Sequence, residues 1–394
     1  MRHSRFISGW RFRAVELLIL LQVTWITFRK YRDIHKTLNA LKALMQRNRA
    51  FIGNNRRYKI AQIGGRYFIN YGMPAWPSRA FSRFVENFLD KEDHPDRPVL
   101  NALLFGITKK CNFQCEHCFE WFNLNKKEVL SKEHIVEVIQ RFRETGVATV
   151  HLSGGEPMNR FRDVLHVLKE APQDIEYWIY SNGFSLDAEK ARMLKEAGLT
   201  GVAISVDHYL VEMHDGFRGV KGSFERAMQA AENCHDVGLA VCFSLCATGD
   251  MTSSLSLHRY AKMARKHGVK MVQILEPKAV GHYAGRDVSL APEEIRNLEN
   301  FFLEMNFTRS DEHDFPLIAY HGYYGRKLGC QGAANGYVYV DTDGYVHSCP
   351  FCQQQLYHAL EGDLTHSLSQ HMNSGCRVFP SEFNKINDKK MLTI

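Results

Sequence analysis

The chain has 394 residues, 45% hydrophobic and 24% charged, a globular and not a disordered composition, long enough for one large domain and a smaller one. Its ten cysteines are accompanied by no visible secretory signal, so a disulfide framework is not expected and clustered thiols point to metal or redox chemistry. The net charge of +7 is unevenly spread: residues 1–60 hold fourteen Lys and Arg against Glu16 and Asp33, a net +12, leaving about −5 for the rest, which is ordinary for a soluble enzyme.

The basic N-terminus contains the apolar run "AVELLILLQVTWITF", Ala14 to Phe28, flanked by Arg11, Arg13, Arg29, Lys30 and Arg32. It is shorter than the roughly 20 residues of a spanning helix and is interrupted by Glu16 and Gln22. With Trp10 and Trp25 near its ends, it is expected to lie as a helix in the headgroup region of an anionic cytoplasmic leaflet, making the protein peripheral to that membrane. The competing reading is a helix packed on the protein's own surface. No nucleic-acid partner is expected, because basic arms rarely carry so continuous an apolar stretch. Residues 1–57 are therefore expected to be a basic amphipathic helical region. Residues 58–98 follow as a connector, with a hairpin turning at Gly64-Gly65 and a helix over "RAFSRFVENFLD".

From Leu100 short apolar runs alternate with helical segments. The expected strands are Leu100–Thr108, Thr149–Ser153, Ile175–Tyr180, Gly201–Val206, Ala240–Ala247 and Met271–Glu276. Sixfold strand–helix alternation implies an α/β fold with a parallel sheet and right-handed crossovers, and periodicity alone leaves open whether it is a doubly wound sheet or a partial barrel. The polar motifs fall at one edge of that sheet. "CNFQCEHC" follows the first strand, "GGEP" the second and "SNG" the third, while "ISVD" ends the fourth. In parallel α/β folds, sites form at the carboxyl ends of the strands.

Thiolates bind zinc or iron–sulfur clusters. A structural zinc usually shows paired Cys-x2-Cys or Cys/His units, whereas a lone run such as Cys111, Cys115 and Cys118 can hold three irons of a [4Fe–4S] cube and leave one iron open. His117 is a poor fourth ligand because it stands between two close cysteines. Buried structural thiols are a poor alternative, since Asn112, Gln114, Glu116 and His117 are polar.

These residues resemble the radical S-adenosylmethionine superfamily, whose signature Cys-x3-Cys-x2-Cys matches "CNFQCEHC" and whose second motif matches "GGEP". The resemblance covers roughly residues 100–281 and implies a partial (β/α)6 TIM-type barrel, expected here over 99–290. It implies that Cys111, Cys115 and Cys118 bind a [4Fe–4S] cluster whose open iron is chelated by S-adenosylmethionine. Gly154, Gly155 and Glu156 would hold the cofactor's amino group. Ser181, Asn182, Ser205 and Asp207 would line its site, and Arg218 would contact its carboxylate or ribose. One electron from a donor such as flavodoxin or ferredoxin would cleave the sulfonium, and the 5′-deoxyadenosyl radical would take hydrogen from an unactivated C–H bond. No side chain is assigned as catalytic.

Residues 291–394 carry Cys330, Cys349 and Cys352 around "YVYVDTDGYVHSC", which reads as a hairpin with an Asp-Thr-Asp-Gly turn. This resembles the SPASM or shorter twitch modules of the same superfamily. It implies a small α+β module with one auxiliary iron–sulfur cluster and Cys376 as the candidate fourth ligand. Zinc is the rival at Cys349-Pro-Phe-Cys352. Cys234, Cys242 and Cys246 are expected to be buried as small hydrophobes. The substrate is expected to be a lipid or isoprenoid-type molecule or a peptide. The rival class is a non-catalytic membrane-bound iron–sulfur carrier or sensor.

Overall fold

The computed structural model describes residues 4–52, 58–307 and 314–372. Two sheets organise them. The smaller comes from the N-terminal segments β1 (Ser4–Ile7), α1 (Gly9–Tyr31), α2 (Ile34–Ile52), β2 (Ile60–Ile63), β3 (Arg66–Phe68) and α3 (Arg79–Asp93), its strands running antiparallel in the order β1-β2-β3. The β2–β3 hairpin turns at Gly64 and Gly65, both at positive φ, as the Gly-Gly pair requires.

The larger sheet opens with β4 (Ala102–Thr108), α4 (Lys132–Glu144), β5 (Thr149–Gly154), α5 (Phe161–Glu170), β6 (Glu176–Ser181), α6 (Ala188–Glu196) and β7 (Gly201–Ser205). Two helices, α7 (Val211–Arg218) and α8 (Ser223–Asp236), precede β8 (Ala240–Cys246). Then come α9 (Ser254–Lys266), β9 (Met271–Leu275), α10 (Pro292–Phe307), β10 (Leu317–Tyr320) and α11 (His321–Leu328). The chain closes on β11 (Tyr337–Val340), β12 (Tyr345–His347), β13 (Tyr357–His358) and α12 (Leu364–His371). The strand order is β10-β9-β8-β7-β6-β5-β4-β11-β12-β13, with every pair from β10 to β11 parallel and the last two antiparallel. The edge strands β10 and β13 do not pair, so the barrel is partial.

Alternation of side chains along each strand separates two interiors. Val150, Leu152, Ile179, Val202, Val241, Phe243 and Val272 face the helices in the main core. Trp178, Ala203, Cys242, Met271 and Leu317 face inward, where Ala61, Ile63, Phe68, Tyr71 and Ala75 plug the floor of the barrel. Helix starts are locally encoded. Ser131 Oγ accepts from the His134 N–H at 3.2 Å while His134 Nδ1 accepts from the Ser131 N–H at 3.5 Å, a capping box at the head of α4.

Among the described residues, both terminal regions pack onto these sheets. The N-terminal helical region joins the small sheet. Its strand β1 pairs with β2, and Val15, Ile26 and Thr27 of α1 are buried, so the boundary at 57/58 falls inside one packed layer. The sheet also runs past 290, because α10 and β10 continue the parallel order after β9. No helix among the described residues is long and apolar enough to cross a membrane.

Candidate functional site

The carboxyl edge of β4 leads into the cysteine loop, which is tied down from several sides. Thr108 Oγ1 donates to Glu128 at 2.5 Å, the Lys109 N–H donates to both oxygens of the same carboxylate, and the Cys111 N–H donates to Asn125 Oδ1 at 3.1 Å. From the β5 side, the Gly155 N–H donates to the Thr108 carbonyl at 2.7 Å and the Glu156 N–H to the Lys110 carbonyl at 2.7 Å. A Cβ on Gly154 would strike the Thr108 carbonyl, and one on Gly155 the Lys110 carbonyl. Both glycines are therefore required by the close approach of "GGEP" to the backbone around Cys111.

Glu156 is fully enclosed. Its carboxylate accepts from the Asn182 N–H at 2.7 Å, Ser181 Oγ at 2.8 Å and the Met158 N–H at 3.0 Å, joining the ends of β5 and β6. Burial pushes its carboxyl upward, opposed by these donors. The side chain thus shapes the loop, and the Glu156 carbonyl accepts from the Asn159 N–H at 3.0 Å. Asn182 reaches across to Asn112 Oδ1 at 3.1 Å. Ser205 ends β7, in register with Ser244 of β8. Asp207 and Arg218 form a buried ion pair, and Arg218 Nη1 donates to Cys115 Sγ at 3.4 Å. The structure therefore brings Gly154, Gly155, Glu156, Ser181, Asn182, Asp207 and Arg218 together around the three cysteines, and sets Ser205 at the same strand edge.

Sequence reading missed several residues that hold this loop. The His282 N–H donates to the Cys118 carbonyl at 2.9 Å and its Nδ1 lies 3.1 Å from the Cys115 carbonyl, while its ring stacks on Trp121 at 3.8 Å. Tyr283 donates to Glu116 at 3.2 Å. Nothing in the segment "VGHYAG" signals this role, because the partner loop is more than 160 residues earlier.

The donor set fits an iron–sulfur cluster. Burial pushes the Cys111 thiol up to about 11, and the Cys115 and Cys118 thiols also rise, so three thiolates here require compensating positive charge. Among the described residues no three His, Cys, Asp or Glu side chains stand close enough to share one metal ion. A four-iron cube asks less, since each thiolate binds a different iron.

The second group lies beside the first. Cys349 and Cys352 are buried with sulfurs 3.4 Å apart, and Cys330 packs against them with Tyr337 and Phe351. Cys376 lies outside the described residues. Phe119 bridges the two groups by edge contacts with Tyr339 and Phe351, and Tyr339 donates to the buried Glu120. Asp341 Oδ1 accepts from the N–H groups of Asp343 and Tyr345, both at 2.9 Å, as a turn residue does. Cys234, Cys242 and Cys246 are buried.

Residues 106–252, which run from within β4 past the end of β8 and hold the cysteine loop, match the Radical SAM superfamily. The cofactors of that family are a [4Fe–4S] cluster and S-adenosylmethionine, and the residues just described fit them. The chain is 33% identical over 142 residues to the Fe-coproporphyrin III synthase of Methanosarcina barkeri, covering 36% of this chain and 35% of that one, so it spans about a third of that relative's length. It is 26% identical over 275 residues to the mycofactocin maturase MftC of Mycolicibacterium smegmatis, covering 68% of each. The fold is shared with Streptococcus suis SuiB bound to the precursor peptide SuiA, with a TM-score of 0.59 at 15% identity over 73% of this chain and 69% of that one.

Proposed function

We propose that this protein is a radical SAM enzyme working at a membrane surface on a lipid or isoprenoid-type substrate, with an auxiliary cluster at Cys330, Cys349 and Cys352. When bound, the reduced cluster and S-adenosylmethionine supply an oxidant strong enough to take a hydrogen atom from an unactivated C–H bond. The chain's own residues do the rest. Cys111, Cys115 and Cys118 anchor the iron, the Gly154–Glu156 backbone offers carbonyls to the amino group, and the plugged barrel floor keeps water out from below.

The observation that carries the catalytic reading is the junction of "GGEP" with the cysteine loop, which an electron carrier has no need of. The membrane reading rests on α1, where Trp10, Leu17, Leu21, Trp25 and Phe28 form an exposed apolar stripe beside Arg11 and Arg13. A peptide substrate is the second reading, favoured by the structural likeness to SuiB, whose partner is a precursor peptide.

Deuterium separates the two. Lipid and peptide fractions from cells grown in heavy water are each incubated with reconstituted protein, and 5′-deoxyadenosine is examined by mass spectrometry. Deuterium arriving only from the lipid fraction is expected. Deuterium arriving only from the peptide fraction overturns the lipid reading in favour of the peptide one.

A further inference from the structure

The last turn of α7 lies on the middle of the cysteine loop. The Glu116 N–H donates to the Phe217 carbonyl at 3.0 Å, and the Phe217 ring stacks on His117 with centroids 4.8 Å apart. Gly219 ends the helix in the left-handed region, and a Cβ there would come within 3.1 Å of the Gln114 carbonyl. Inside this clamp the Arg218 guanidinium is buried, with Nη1 on Cys115 Sγ at 3.4 Å and Nη2 on the Asp207 carboxylate. Asp207 is itself fixed. Its Oδ1 accepts from the Cys246 N–H at 2.8 Å, and its own N–H donates to His214 Nδ1 at 3.2 Å. The resemblance assigned Arg218 to the cofactor, but two of its three nitrogens are already committed to protein partners, and Nε alone has none.

We propose that Arg218 and Asp207 are positioning residues that set the reduction potential of the cluster held by Cys115. The inference rests on the cluster reading above. A reduced cluster carries one more negative charge than an oxidised one. A cation against a ligand sulfur therefore stabilises the reduced form more, and the effect is strong where water cannot screen it. Asp207 opposes this by returning negative charge to the same spot, so the pair holds the potential between two extremes. The fork of Arg218 lets one side chain face both partners at once.

The test is a redox titration of the anaerobically reconstituted full chain, followed by electron paramagnetic resonance. The signal that changes on adding S-adenosylmethionine identifies the first cluster, and iron and sulfide are assayed in each sample. Arg218→Gln is expected to shift the potential to more negative values and Asp207→Asn to more positive ones. Arg218→Lys and the double variant Arg218→Gln/Asp207→Asn are expected to stay near the parent. A purely structural pair would shift both single variants the same way, or neither, and either result overturns the proposal. So does loss of cluster from Arg218→Lys and Asp207→Asn alike. A parent chain that binds no iron or sulfide overturns the cluster reading itself.

Discussion

At Gly155 a methyl group would meet the Lys110 carbonyl and lie 3.2 Å from Cys111 Cβ. Gly155→Ala is therefore expected to cost about 1–3 kcal/mol and to lower the iron bound per chain, because the loop must retreat from β5. Thermal melting and iron assay check this, and unchanged iron content would show that the contact is slack. His151 makes a different prediction. It faces the barrel interior, 3.4 Å from the Tyr71 hydroxyl, and burial, aided by His321, lowers its pKa to about 3. A histidine whose folded pKa lies below its unfolded value near 6.5 contributes stability that is fully present above 6.5 and lost as pH falls toward 3. By pH 5 the loss amounts to about 2 kcal/mol. His151→Gln should flatten part of the fall in melting temperature between pH 7 and pH 5, and an unchanged slope would contradict it. The three cysteines and the glycine pair were legible because their spacing and types leave little else for them to do. The partners of Glu156 were not, since a carboxylate meeting an internal donor and one meeting an ammonium look the same in one dimension.

Among the elements, all six expected strands of the barrel are present to within about two residues at each end, because a buried parallel strand reads as a short β-rich apolar run. The seventh, β10, escaped notice: four residues, "LIAY", give too little pattern beside a helix that looked like the start of another module. The α1 helix was half legible. Its length and flanks were visible, but its residues are apolar on both sides, so periodicity could not say which face packs. In the structure Ile26 joins Phe81, Val85 and Leu89 of α3, and Arg29 and Lys30 pair with Glu86 and Asp90 at 2.6 and 2.5 Å, while Leu17 and Leu21 stand exposed. Ile26→Ala should destabilise the chain by about 2–5 kcal/mol. Leu17→Asp/Leu21→Asp should leave stability within about 0.5 kcal/mol yet abolish co-flotation with anionic vesicles. Flotation that survives this double change would remove α1 from the membrane reading.

For the whole molecule, the small antiparallel sheet plugs one end of the barrel and the cysteine loop occupies the other. The β11–β12 hairpin joins the barrel through the parallel pairing of β11 with β4, which sets the second cysteine group beside the first. Sequence alone suggested two cysteine groups in separate regions, and the contact between them depends on residues some 220 positions apart. We propose that this assembly performs radical chemistry at Cys111, Cys115 and Cys118. That chemistry is read out as 5′-deoxyadenosine formed by anaerobically reconstituted protein with dithionite and S-adenosylmethionine, with membrane extract as the substrate source. Product from the parent chain and none from Cys111→Ala/Cys115→Ala/Cys118→Ala is the expected result. A parent chain with full iron and sulfide content that yields no product under these conditions would contradict the claim and leave an electron carrier in its place.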